Sequence, residues 1–135
     1  MKESKISILI IEDNPLNAAQ IVNIVNDFTD DITVSTTAER GFTIFKQAFL
    51  LDNPFDILIS DIILPGKSGK ELIREIRELE DENNVSDQIK IIAASAESPQ
   101  NHLLEIFRIG AEHYIEKPVT KEKLTQALLA TKLFP

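Results

Sequence analysis

Cysteine is absent from the 135-residue sequence, which excludes disulfides and thiolate metal sites. No stretch approaches the ~20 consecutive apolar residues that a membrane-spanning helix needs. The opening run Ile6 to Ile11 is interrupted by Ser7 and followed at once by Glu12-Asp13, so it lacks the small-residue cleavage site of a secretory signal. Gly/Ser/Pro-rich linkers, repeats and low-complexity tracts are also missing, and residues 1–135 read as one domain. Basic residues are the minority, 14 Lys and Arg against 22 Asp and Glu. The resulting net charge of −8 argues against nucleic-acid binding by this domain, because phosphate backbones would repel it. A cytoplasmic protein with no membrane attachment is expected.

What is present is a chain with 43% apolar and 27% charged residues, the balance of a soluble globular domain. Five short apolar runs alternate with helical periodicity: Ile6 to Ile11, Ile32-Thr33-Val34, Phe55 to Ile59, Ile89 to Ala94, and the weaker His113-Tyr114-Ile115. The first, third and fourth are nearly continuous in aliphatic residues, as in strands buried on both faces of a parallel sheet.

Between them lie helix signals. Asn14 can cap a helix opened by Pro15, whose apolar stripe is Ile21, Val22, Val25 and Phe28. Ala38, Phe42, Phe45 and Phe49 form a second stripe. Ser68 with Glu71 is a capping box ahead of Leu72, Ile73, Ile76 and Leu79. Ser98 and Pro99 open a fourth helix that Gly110 stops, and a fifth starts at Thr120. The acidic run Glu80-Asp81-Glu82-Asn83-Asn84 reads as a solvated loop. Strand-helix alternation repeated five times predicts an α/β fold, a five-stranded parallel sheet with helices on both faces.

In such a sheet ligands bind beyond the carboxyl ends of the strands. Glu12 and Asp13 follow the first strand, Asp61 the third, Ser95 the fourth and Lys117-Pro118 the fifth. If the strands are parallel, three carboxylates, a hydroxyl and an ammonium share one edge. Each residue alone is a weak signal, since an Asp ending a strand is most often a cap or turn former. Clustered, the acids repel by ~4 kcal/mol per pair at 4 Å and an effective dielectric near 20. Lys117 offsets part of this, and a hard divalent cation offsets more; all-oxygen ligands select Mg²⁺, Mn²⁺ or Ca²⁺.

The motifs Ile10-Ile11-Glu12-Asp13-Asn14, Leu58 to Gly66 around Asp61, Ala93-Ala94-Ser95-Ala96 and Glu116-Lys117-Pro118 resemble the receiver domain of bacterial response regulators, over essentially the whole chain. The resemblance implies a flavodoxin-like three-layer sandwich with strand order 2-1-3-4-5. It implies a phosphoprotein of two-component or phosphorelay signal transduction, with Asp61 as phosphoacceptor. Asp13, Asp61 and the backbone carbonyl of Ile63 would bind Mg²⁺ (Mn²⁺ as an alternative), with Glu12 acting through a metal-bound water. Ser95 would contact the phosphoryl group and Lys117 pair with it, across a cis Lys117–Pro118 peptide. Tyr114 matches an aromatic position whose ring changes rotamer on activation, and Ala96 a site kept small.

Such a domain is a signalling phosphoacceptor that catalyses its own phosphorylation and dephosphorylation, and is not a multiple-turnover enzyme. Its implied partners are a histidine kinase or histidine phosphotransfer protein as donor and a downstream protein target or output domain. The resemblance also admits a phosphorylation-dependent homodimer. The surface of helix four, strand five and helix five is expected to change on phosphorylation. Ile63 and Glu97 depart from the commoner family residues at positions that influence hydrolysis rate. The run Glu12 to Asn17 is most similar to receivers of hybrid kinases and phosphorelays.

Three rivals remain open at this point. A haloacid-dehalogenase-type phosphatase would resemble Asp-x-Asp at its nucleophile, whereas Asp61 is followed by Ile62-Ile63. A flavodoxin-like redox carrier would need a phosphate loop where Glu12-Asp13 repels phosphate. A phosphorylation-independent interaction module would not need Asp13, Asp61, Ser95 and Lys117 together. His102 and His113 lack partners at ligand spacing and are read as surface or structural residues.

Overall fold

The computed structural model describes residues 5–135. Its elements in chain order are β1 (Ile8–Ile11), α1 (Pro15–Val25), β2 (Ile32–Ser35), α2 (Ala38–Leu50), β3 (Ile57–Asp61), α3 (Gly69–Glu82), β4 (Lys90–Ser95), α4 (Pro99–Ile109), β5 (His113–Glu116) and α5 (Lys121–Ala130). The five strands form one parallel sheet in the order β2-β1-β3-β4-β5. This is the expected architecture.

Strand alternation divides the core between the two faces. Leu9, Ile11, Leu58, Ile91 and Ala93 pack with Phe45, Leu72, Ile73, Ile76 and Ile106 of α2, α3 and α4. Ile8, Ile10, Ile57, Ile59, Ile92 and Ala94 pack with Ile21, Val25, Leu124 and Leu128 of α1 and α5. Every residue of β1 and β3 is buried, so these central strands carry aliphatic side chains on both faces.

The caps at Asn14, Ser68, Ser98 and Thr120 fall where the sequence puts them, and Thr37 adds one for α2. Asn14 accepts from the Leu16 and Asn17 amides, Thr37 from Arg40, Ser98 from Gln100 and Thr120 from Lys123. The Ser68–Glu71 capping box is complete in both directions. Gly110 ends α4 at φ 124°, a conformation that disfavours any side chain. Phe28 falls beyond the end of α1, yet its ring packs on Phe134 at 5.2 Å.

One expectation is corrected. Glu80, Asp81 and Glu82 are not a loop: α3 runs through them, and Glu80 is only 2% exposed. Arg77 Nη1, one turn earlier, donates to Glu80 Oε1 at 2.6 Å, and the Ile89 amide donates to Oε2 at 2.7 Å. An ion pair plus a backbone donor satisfies the buried carboxylate and lets the helix continue. Only Asn83 and Asn84 form the turn. Among the described residues, no helix is long and apolar enough to cross a membrane.

Candidate functional site

Strand register brings the chemically distinctive residues to one edge. Asp61 is the last residue of β3 and pairs with Ala94, and Ser95 ends β4 opposite Glu116. Past the strands, the Glu12 amide donates to Ser35 O at 3.0 Å, Ile62 N to Ala94 O at 2.9 Å and Lys117 N to Ser95 O at 2.7 Å. The β3–α3 connection returns so closely that Gly69 N donates to Ile62 O at 2.8 Å. A Cβ on Gly69 would collide with the Asp61 carbonyl and the Ile62 Cα, so only glycine lets α3 begin there.

Glu12, Asp13 and Asp61 each offer a carboxylate oxygen, all within 4.8 Å of one another. Lys117 Nζ bridges the two buried acids, 2.9 Å from Glu12 Oε1 and 2.7 Å from Asp61 Oδ2. Glu12 Oε2 also accepts from the Asn14 amide at 3.1 Å, so the residue that caps α1 steadies the acid before it. Burial pushes the Glu12 carboxyl above its usual range, outweighing the hydrogen bonds from Lys117 and Asn14; Asp61 adds to the rise. Burial works against the charge on Lys117 too, but there its hydrogen bonds to Asp61 and Glu12 prevail and hold the ammonium above its usual value.

Three carboxylates face one ammonium, and each acid pair at this separation repels by about 3–4 kcal/mol at an effective dielectric near 20. Asp13 is exposed and has no ion-pair partner among the described residues. The excess negative charge and the all-oxygen donor set fit a hard divalent cation. Ile63 lies two residues past Asp61 in the loop and is 56% exposed.

Ser95 is fully buried, and its Oγ accepts from the Glu97 amide at 3.1 Å. The Tyr114 ring is half-buried against the core, and its hydroxyl donates to Glu97 O at 2.6 Å. Burial raises the Tyr114 hydroxyl, the nearby Ser95 side chain opposes this, and Glu116 and Glu97 reinforce it. Tyr114 thus joins the Ser95–Glu97 loop and not the acidic cluster. The Lys117–Pro118 peptide is cis.

His102 is not at the surface: it is buried, with Nε2 2.9 Å from the Tyr114 hydroxyl and the rings edge-to-face at 5.3 Å. Its tie to Tyr114 and the support from Gly69 and Asn14 escape a reading of the sequence. Only the Pro at the start of α1, which marks Asn14 as a cap, hinted at any of them.

The response regulator receiver domain model matches residues 8–129. The sensor protein GacS of Pseudomonas syringae pv. syringae is 25% identical over 122 residues, covering 90% of this chain and 13% of that protein. The transcriptional regulatory protein CitT of Bacillus subtilis (strain 168) is 36% identical over 117 residues, 76% of this chain and 49% of that protein. The chain therefore spans less than half the length of these curated relatives. Among solved structures, the co-crystal of the Saccharomyces cerevisiae histidine phosphotransfer protein Ypd1 with the receiver domain of Ssk1 is similar in fold. Its TM-score is 0.80 at 24% identity, covering 90% of this chain and 85% of that one.

Proposed function

We propose that this chain, which belongs to the response regulator receiver domain family, accepts a phosphoryl group on Asp61. It is a receiver domain of two-component and phosphorelay signalling. The observation that carries the specific reading is the Lys117 ammonium, 2.7 Å from Asp61 inside a cluster of three carboxylates.

In the proposed transfer an Asp61 carboxylate oxygen forms the bond to phosphorus as the bond from phosphorus to a histidine nitrogen of the donor breaks. The electron pair leaves with the imidazole, and an acyl phosphate remains on Asp61. Positioning and charge stabilisation do most of the work in such reactions. Asp13, Asp61 and the Ile63 carbonyl would hold Mg²⁺, with Glu12 acting through a bound water; Mn²⁺ would serve in its place. The ion supplies positive charge against the transferring oxygens. Lys117 already contacts Asp61 and would follow its charge onto the phosphoryl group, and Ser95 Oγ would donate to a phosphoryl oxygen.

The domain would act once per phosphoryl group and not as a turnover enzyme. The donor would be a histidine kinase or histidine phosphotransfer protein, the class that the yeast Ypd1 complex exemplifies. A cytoplasmic location and one receiver unit over residues 1–135 complete the proposal. Contacts of Ser95 and Lys117 with the phosphoryl group, each ~1.5–3 kcal/mol, approach the ~5.5 kcal/mol that inverts a 1:99 equilibrium. They would rearrange α4, β5 and α5, where Leu104, Phe107 and Leu129 expose apolar surface to a downstream partner or a second copy. Intact mass after incubation with Mg²⁺ and a small phosphodonor tests the site. One phosphoryl group should be gained by the wild type and none by Asp61→Asn; no gain in either overturns the assignment.

A further inference from the structure

We propose that His102 Nδ1 is a proton-binding site that locks Tyr114 onto the β4–α4 loop. Its consequence for signalling rests on the phosphoacceptor reading above; the proton site itself does not.

The hydrogen inventory leads there. Tyr114 has one hydroxyl hydrogen and gives it to Glu97 O at 2.6 Å. The same oxygen lies 2.9 Å from His102 Nε2, so it accepts there, and Nε2 carries the hydrogen. A neutral ring then has a bare lone pair on Nδ1. Nδ1 is buried with no hydrogen-bond partner among the described residues, and it faces Glu97 Oε1 at 3.4 Å, acceptor against acceptor. A proton taken from solvent onto Nδ1 converts this mismatch into a charge-assisted contact and disturbs neither of the other two bonds. Glu97 is then gripped twice, through its carbonyl by Tyr114 and through its carboxylate by His102. A closed ring of three residues joins the β4–α4 loop, α4 and β5.

Two acids lie near His102, Glu97 and Glu105, and Glu105 feels its charge. Glu105, one turn further along α4, is engaged by Lys70 and Arg74 of α3 at 2.7 and 3.5 Å. Glu116 of β5 acts on the Tyr114 hydroxyl. The positive amino end of α4 lies on one side of His102, and the Glu97 carboxylate faces Nδ1 at 3.4 Å. Because Ser95 Oγ holds the Glu97 amide, the loop that a phosphoryl group would pull is the one the proton fastens. By linkage, the shift that either event makes in the other is reciprocal.

The chain has one tyrosine and two histidines, so ring carbon–proton NMR reads the site without ambiguity. In wild-type protein the Tyr114 and His102 ring signals should shift together in one step as the pH falls. The step should persist in Asp61→Asn and His113→Gln and vanish from Tyr114 in His102→Gln. In Glu97→Gln the amide can donate to Nδ1 and satisfy a neutral ring, so the step should move. Mg²⁺ with beryllofluoride should move the wild-type step. Tyr114 signals that ignore His102, or a step unmoved in Glu97→Gln, would overturn the proton site; an unmoved step with the mimic bound would overturn the coupling. Failed phosphorylation with an intact step removes the Asp61 assignment alone, and the converse removes this one alone.

Discussion

Lys117 Nζ lies 2.7 Å from Asp61 Oδ2 although 56 positions separate the two residues in the chain. The same nitrogen reaches Glu12, so one ammonium keeps two buried acids apart. In Lys117→Met those acids face each other uncompensated, and the metal-free domain should lose about 2–4 kcal/mol of stability. Adding Glu12→Gln should recover part of the loss. Urea unfolding in a chelator measures the cycle; additive effects would mean that the three groups do not interact.

A divalent cation should stabilise the fold by relieving the same repulsion. At ten times its dissociation constant, Mg²⁺ adds about 1.4 kcal/mol, a rise of a few degrees in Tm for a domain of this size. Asp13→Asn should abolish most of that rise, although Asp13 is exposed and contributes little to the metal-free fold. Thermal melts across a Mg²⁺ series decide it, and an undiminished rise in the variant would remove Asp13 from the ligand set.

Glu12 is held above the ordinary carboxyl value of 4.5, burial being the main cause. The folded state therefore binds this proton more tightly than the unfolded chain does. Its stabilising contribution is complete below 4.5 and is lost as pH rises through the higher folded value. With a chelator present, Glu12→Gln should melt above the wild type at neutral pH, and the gap should close as the pH falls toward 4.5. Identical melts at neutral pH would contradict this.

Gly69→Ala should both destabilise the domain and slow phosphorylation. The added methyl can be admitted only if α3 and the Asp61–Ile62 backbone move apart, which displaces the acceptor. Initial rates of acyl-phosphate formation from a small donor, beside urea midpoints, separate the two effects. A normal rate in a destabilised variant would show that the acceptor tolerates the shift.

Glu80→Ala should behave oppositely. It leaves Arg77 and the Ile89 amide without their buried partner, at a cost of about 3 kcal/mol. Glu80 belongs to α3 and touches neither Asp61 nor Lys117, so the phosphorylation rate of the folded fraction should stay as in the wild type. A slowed rate would imply that α3 transmits strain along its length.

The sheet was legible because continuous aliphatic runs and unambiguous caps specify parallel strands and their crossovers. The acidic site was legible for a related reason: strand ends are easy to find, and a parallel sheet puts them all on one edge. Glu80 was misread because its run of acids has the composition of a solvated loop; Arg77 lies only one turn back, but the Ile89 amide that completes the pairing acts through the fold. His102 was read as a surface or structural residue, and its partner Tyr114 lies on another element. No local pattern announces an edge-to-face pair across a loop. Gly69 looked like any residue after a cap, since what it must avoid is a carbonyl on β3.

The amide of Lys117 is bonded to the carbonyl of Ser95 at 2.7 Å, the outermost rung between β4 and β5. The hydroxyl and the ammonium destined for one anion are thereby mounted on a common crossbar. A tug on either is borne by both strands, and tension that starts at Asp61 arrives at β5 without having to cross solvent.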